Sequence, residues 1–203
     1  MEYFKKAHIP FTGTSDINVL DNMYVQKLLS LLKVVKSPHS DPDFFNLIFS
    51  DIYKIGSEDV FRLTNASFMK KQRIYELIQD EQKLTELGVK SIAELKKITK
   101  IIQDLQKDYY NLQLSNFVIR ALDRSGLLES LLANNNIYDL NQVQSFSKWV
   151  QTQNQYDHAY GLDQMLKDLD FMADNRIQIP ADDIFMGDSG VKLMTCRQNE
   201  RNL

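Results

Sequence analysis

Proline and glycine are scarce in this chain, and the scarcity already selects among fold classes. Of 203 residues only 4 are proline and 7 are glycine, and no proline lies between Pro42 and Pro180. The glycine share is about half the usual ~7%. An all-β chain needs a turn signal roughly every 8–12 residues, which this sequence does not supply, so a mainly helical fold is expected. Cysteine is rarer still. Cys196 stands alone, so no disulfide can form within the chain, which fits a reducing, cytoplasmic setting. Long apolar runs are missing too. No stretch of about 18 apolar residues offers a spanning helix, and Met1 to Phe11 contain no apolar core of the length a signal peptide needs, so no membrane partner is expected. Nor is there an excess of positive charge: 24 Lys and Arg against 27 Asp and Glu leave a net charge of −3. Affinity for nucleic-acid phosphates comes largely from Lys and Arg. Any such contact must be local, or made in the company of other domains.

What is present is an ordinary globular composition, 43% hydrophobic, 10% aromatic and 25% charged, and a chain of this length buries roughly 70% of its unfolded surface. Apolar residues recur at helical spacing through most of it. Tyr3 to Ala7 reads as a helix end, followed by extended Ile9-Pro10-Phe11 and a loop over 12–20. Asp21 is expected to cap a helix carrying one apolar stripe, Val25, Leu28, Leu29, Leu32 and Val35, which ends at Ser37-Pro38. Asp41-Pro42 should open the next, with Phe44, Phe45, Ile48 and Ile52. After a turn at Tyr53 to Gly56, Ser57 is expected to cap a short helix through Leu63, and a separate helix over 67–80 should bury Phe68, Ile74, Leu77 and Ile78. Ser91 and Glu94 have the spacing of a capping box and open the longest helix. Ser115 to Arg124, Leu127 to Leu132, Leu140 to Val150 and Leu162 to Met172 complete the series. Beyond Asp174 connector residues dominate, and Val191 to Thr195 suits a strand.

This layout, a helical body between two ends that want a sheet, resembles the UvrD/Rep-type superfamily 1 DNA helicases, and within them the regulatory 2B subdomain, a helical insertion in the second RecA-like domain. Three stretches carry the resemblance. The first is His8-Ile9-Pro10-Phe11, the Val25 to Lys33 helix with its paired leucines, and Ser37-Pro38 with the acidic residues after it; His8 and Ser37 stand where Gly and Asn are common. The second is Lys54-Ile55-Gly56-Ser57, similar to the family's Gly-Ile-Gly turn, with Lys54 in place of the first Gly. The third is Asp188 to Thr195, which in the family leads into Thr-x-His-x-x-Lys-Gly-Leu-Glu. Here Arg197 stands at the His and Glu200 at the Lys, and Lys-Gly-Leu-Glu is missing. The tail to Leu203 reads as a truncated or frameshifted end, and the chain as a fragment.

The resemblance implies three segments: a RecA-like stub over 1–15, a 2B-like helical subdomain over 16–187, and a strand stub with a divergent tail over 188–203. It implies duplex DNA ahead of a fork and the remaining helicase domains as partners. Lys54, Ile55, Gly56 and Ser57 would be the DNA-binding turn and Thr195 a motif remnant. The whole protein would use ATP and Mg²⁺ to move 3′ to 5′, with residues 12–20 and 174–190 as swivelling connectors. The chain itself has no Gly-Lys-Ser/Thr phosphate loop, so it carries no ATP site and no catalytic residue of its own, and no cofactor is expected on it. Two other readings start from the same residues: a helical protein–protein adaptor without a nucleic-acid role, and the partner-binding region of a helicase–nuclease subunit. Lys70-Lys71-Gln72-Arg73 could follow a phosphate backbone, but charge runs on helices are usually solvated faces. His8, His39 and His158 lack metal-site spacing. Tyr109, Tyr110 and Trp149 at helical spacing read as core or groove filler rather than base-stacking platforms. Asp182-Asp183 reads as polar connector.

Overall fold

In the computed structural model, which describes residues 11–13, 17–182 and 191–193, the chain is mainly α-helical, as its composition predicts. Ten α-helices are present among those residues: α1 (Met23–Lys36), α2 (Asp41–Phe49), α3 (Ser57–Lys70), α4 (Ile74–Leu77), α5 (Glu81–Glu86), α6 (Ile92–Asn111), α7 (Leu114–Arg124), α8 (Leu127–Ala133), α9 (Ile137–Tyr156) and α10 (Leu162–Asp174). Two three-residue strands flank them, β1 (Phe11–Gly13) and β2 (Val191–Leu193). They pair in parallel, with Phe11 opposite Val191. Parallel neighbours need a crossover connection, and here the whole helical body serves as one.

α1 lies at the centre. Its sequence predicts a single apolar stripe, yet Tyr24, Leu31 and Val34 are buried along with Val25, Leu28, Leu29, Leu32 and Val35. A helix buried on so many sides must be surrounded, and α2, α6, α7, α9 and α10 all pack on it. Its N-cap is Asn22 and not Asp21, which ends a 3-10 turn, Val19–Asp21. The choice has a physical reason. Asn22 Oδ1 accepts from the amides of Tyr24 and Val25, at 2.9 and 3.3 Å, while its Nδ2 donates to Asp139 Oδ1 on α9 at 2.8 Å. An ionised aspartate has no proton to donate.

Several helix boundaries differ from those expected. Ser40, not Asp41, is the N-cap of α2, and Asp41 turns outward to accept from the Ile74 amide at 3.0 Å. α2 stops at Phe49, leaving Ile52 in a 3-10 turn, Asp51–Tyr53. The expected break between Leu63 and Ser67 is missing, because Thr64-Asn65-Ala66 contains no Gly or Pro to interrupt a helix; α3 runs on to Lys70. The break falls instead at Lys71, which takes a left-handed conformation (φ 50°) and donates its amide to Ser67 O. The helix over 67–80 is therefore split, and Phe68 is 81% exposed rather than buried. At Ser91 the capping box does not form: the residue is the N-cap of α6, but its side chain makes no cap bond.

Entrance and exit of the body are side by side. Asn18 and Pro180 form an antiparallel bridge. The Val19 amide donates to Ile179 O at 2.9 Å, and the Ala181 amide to Ile17 O at 3.2 Å. The exit segment is fastened further to α9, where Ser145 Oγ accepts from the Asp182 amide and Lys148 pairs with the Asp182 carboxylate, both at 2.9 Å. Two expected connectors, 12–20 and 174–190, thus contain a fixed clamp. The helix over Tyr3 to Ala7, Ile9-Pro10, Asp183, Thr195 and Cys196 lie outside the described residues.

One buried amide joins three elements. Asn154 on α9 accepts from the Ser115 amide at the start of α7 (2.8 Å) and donates to Tyr160 O (2.9 Å), the residue before the turn into α10. Replacing it by Leu keeps the volume and leaves both backbone groups without a partner, which costs about 2–3 kcal/mol. Urea unfolding of Asn154→Leu should show a midpoint lowered by that amount at unchanged slope; an unaltered midpoint would mean that water replaces both bonds.

Candidate nucleic-acid interface

The turn at Lys54 to Ser57 is shaped by its flanks. Ser50 accepts from the Ile52 amide and starts the 3-10 turn. Lys54 ends that turn in a left-handed conformation, φ 53° and ψ 34°. Gly56 is the N-cap of α3, and Ser57 is its first residue, not its cap. Gly56 adopts ordinary extended angles, φ −63° and ψ 138°, and a Cβ there would meet nothing within 4 Å. The position does not require glycine for its shape. It does leave the backbone bare, and Lys54, Gly56 and Ser57 are exposed while Ile55 packs against the core.

The first free amides of α3 make this turn a place where an anion could sit. The amides of Asp59 and Val60 are taken by Gly56 O, at 2.9 and 3.1 Å. Those of Ser57 and Glu58 carry no hydrogen bond among the described residues, as expected for the first turn of a helix. Exposed N–H groups and the positive dipole end favour a phosphate there.

Two carboxylates in the same turn bear on that reading, and both are engaged by partners. Arg62 lies 2.6 Å from Glu58 and Lys90 lies 3.6 Å from it; these cations, Arg62 foremost, hold the Glu58 carboxyl below its usual range. Asp59 is buried, at 2% exposure. Its Oδ2 accepts from the Lys90 amide (3.0 Å), the Ser91 amide (2.8 Å) and the Ser91 hydroxyl (2.7 Å). Burial pushes its carboxyl up, but the bonds from Ser91 and Lys90 outweigh burial and hold it below the usual range. This is why Ser91 does not cap α6: its hydroxyl donates to Asp59, and the Gly56 amide reaches the same oxygen at 3.5 Å. Arg62 adds a strap, donating to Leu87 O at 2.9 Å and Gly88 O at 3.0 Å. Gly88, at φ +70°, favours glycine, and a Cβ there would push aside the Arg62 guanidinium that forms the strap.

The N-termini of α3 and α6 are therefore locked together, and the turn opens onto a cleft of about 620 Å³ between the 3-10 turn, the start of α6 and the 125–133 segment. Its cations are Lys54 and Lys97, neither of which is in an ion pair among the described residues, and its acids are Asp51, Glu94 and Glu129. Asp51 is occupied by Lys27 at 2.5 Å. Tyr53 also lines it, with a buried hydroxyl lacking a partner, and burial pushes that phenol up. Asp59, Arg62 and Lys97 were not singled out in the sequence. Asp59 and Ser91 are far apart in it, and no local spacing announces their contact.

The other candidates resolve individually. Arg73 pairs with Asp41 at 3.3 Å, and Gln72 accepts from Lys83 at 3.3 Å, whereas Lys70 and Lys71 are exposed. Tyr109 packs on Phe117 and Trp149 stacks on Phe146, so both act as groove filler; Tyr110 is 82% exposed. His39 lies edge-on to Tyr75, and among the described residues no cluster of potential metal ligands occurs. No helix among them is long and apolar enough to cross a membrane.

No family model matches the chain. It is 21% identical over 194 residues to the ATP-dependent DNA helicase PcrA of Staphylococcus aureus, covering 96% of this chain and 26% of that protein. To the ATP-dependent DNA helicase PcrA of Staphylococcus epidermidis it is 22% identical over 178 residues, 85% of this chain and 24% of that one. The chain thus spans about a quarter of the length of these curated relatives. The similarity is distant and supports the helicase resemblance in its coarse form.

The lock between α3 and α6 has a pH signature. A carboxylate whose folded pKa is depressed contributes stability that is complete above its unfolded pKa, near 3.9, and is lost as pH falls through the folded value. Asp59→Ala, which strands two amides and a hydroxyl, should cost about 3 kcal/mol at pH 7. In denaturant titrations of both proteins from pH 7 to pH 2.5, the difference should hold steady above about pH 5 and shrink below about pH 4. A difference independent of pH would mean that Asp59 acts only by filling space.

Proposed function

We propose that this chain is the 2B-type helical insertion of an ATP-dependent DNA helicase, with 16–187 as the insertion and 1–15 and 188–203 as stubs of the RecA-like domain that carries it. In that setting it contacts duplex DNA ahead of the fork through Lys54, Ile55, Gly56 and Ser57 and regulates unwinding. ATP and Mg²⁺ would be used elsewhere in the whole protein. The observation that carries this reading is the match to PcrA along nearly the whole chain but only a quarter of PcrA. The parallel pairing of residues 11–13 with 191–193 supports it, because an insertion must leave its host where it entered. The free Ser57 and Glu58 amides beside an unpaired Lys54 support the contact.

Binding by this chain alone should be weak. The net charge is −3, and a charged hydrogen bond contributes on the order of 1.5–3 kcal/mol. The turn offers two free amides and one lysine.

Gly56→Asp separates the phosphate role from stability. Space is available for the side chain, and aspartate caps a helix slightly better than glycine does, by a few tenths of a kcal/mol. The variant should melt at or just above the temperature of the parent, yet bind a forked duplex at low salt at least roughly fivefold more weakly, because its carboxylate occupies the amides and repels phosphate. Lys54→Gln should lower the slope of log K against log salt by about 0.9, one phosphate contact. Fork binding unchanged in both variants would remove the DNA role assigned to the turn.

A further inference from the structure

Away from that turn, on the face formed by α2 and α3, large apolar side chains stand in solvent. Phe68 is 81% exposed, Met69 72% and Phe49 63%. Phe68 and Met69, with Phe45, Pro42 and Ile74, line a trough of about 990 Å³, and Phe49 stands beside it, stacked on Phe45. Single exposed apolar residues are common on proteins, but a contiguous group of this kind marks an interaction surface. The sequence placed Phe68 in the core; in the structure α3 buries Val60, Leu63, Ala66 and Ser67, and Phe68 lies off that stripe on the same exposed side as Phe61.

The charges around the trough say what kind of partner fits. The carboxylate that lines it, Asp41, is occupied by Arg73 and the Ile74 amide. Lys71, at the rim, and Lys70 beside it are exposed and in no ion pair among the described residues. The charge left free is therefore positive, while Pro42, Phe45, Phe68, Met69 and Ile74 give the trough an apolar side among polar neighbours. A nucleic-acid strand would need open ring faces on which to stack bases. Phe45 and Phe49 instead stack on each other, with centroids 5.6 Å apart and planes 13° from parallel, which leaves Phe68 as the one aromatic ring of the trough free for that purpose among the described residues.

We propose that the α2–α3 trough is a docking site for an acidic amphipathic segment of a partner protein, its apolar side chains resting between Phe45, Phe68 and Met69 and its acidic residues meeting Lys70 and Lys71. The helix-in-groove mode of recognition has this form. The proposal is independent of the DNA contact at Lys54 to Ser57, since the two surfaces share no residue.

The test uses the 203-residue chain and a fluorescein-labelled synthetic peptide of roughly four helical turns, with leucine and phenylalanine on one face and glutamate on the other, followed by anisotropy. A twin peptide with lysine in place of glutamate is the charge control. The acidic peptide should bind at least roughly tenfold more tightly than its twin. Phe68→Ser/Met69→Ser should lose at least tenfold, and Lys70→Glu/Lys71→Glu should reverse the preference between the peptides. All four positions are exposed, so the variants should stay folded and melt within roughly ten degrees of the parent, the glutamates at the C-terminal end of α3 accounting for most of the drop, and fork binding should be retained by the Phe68/Met69 variant. Equal binding of both peptides would overturn the proposal, as would an oligothymidine that competes for Phe68. Sedimentation showing that the chain dimerises through Phe68 would assign the trough to a second copy and overturn it likewise.

Discussion

A helix that keeps only a narrow stripe, Met23, Gln26, Ser30 and Lys33, toward solvent sets the arrangement of the helices around it. α1 buries eight of its fourteen residues, and each apolar side turned from water contributes roughly 25 cal/mol per Å². Much of the rest of the body is helices that cover it, while α3 and α4 pack in turn on α2. α2 follows after a short turn, α6 and α7 lie along α1, and α9 and α10 close other sides. Buried polar groups favour partners, and two side-chain amides find theirs across elements: Asn22 with Asp139, Asn154 with Ser115 and Tyr160. These contacts fix which helix lies beside which, a task that apolar packing alone does loosely.

The same logic governs the candidate DNA turn. A helix start that carries Glu58 and Asp59 looks unsuited to an anion, since two negative charges stand where the phosphate would lie. The structure removes both from play, one onto Arg62 and Lys90 and the other into a buried set of donors on the next helix. The amides of Ser57 and Glu58 are left to face outward beside Lys54. A surface of mixed charge can thus leave two backbone donors and one lysine open to an anion without making the whole protein basic, consistent with a chain that has 27 acidic and 24 basic side chains.

The helices were legible because their periodicity is a direct record of burial: Leu95, Ile98, Ile102 and Leu105 line one side of α6 as their spacing requires. The breaks were read less well. Ser91 and Glu94 have the spacing of a capping box, but Asp59, remote in sequence, takes the serine hydroxyl first. Asp41 and Asp21 look like caps, and neighbouring Ser40 and Asn22 take that position. Lys71 gives no sign that it will adopt a positive φ, so the end of α3 was not visible; once 57–70 is one helix, Phe68 falls outside the stripe of Val60, Leu63 and Ser67 and is left in solvent. In each case tertiary partners decided among local options of similar energy. At the candidate site the turn itself was visible, while Asp59, Arg62 and Lys97, which shape its charge, reach it only through folding.

The clamp between Asn18 and Pro180 ties the integrity of the helical body to that of whatever sheet holds β1 and β2. Folding of the body brings its two ends within hydrogen-bonding reach, so to β1 and β2 it behaves as a very short loop. Melted, it would become a tether of some 160 residues, and closing such a tether costs several kcal/mol more in chain entropy than closing a tight turn, as (3/2)RT ln n grows. Damage deep in the helices would therefore be felt at the strands without any contact running between them.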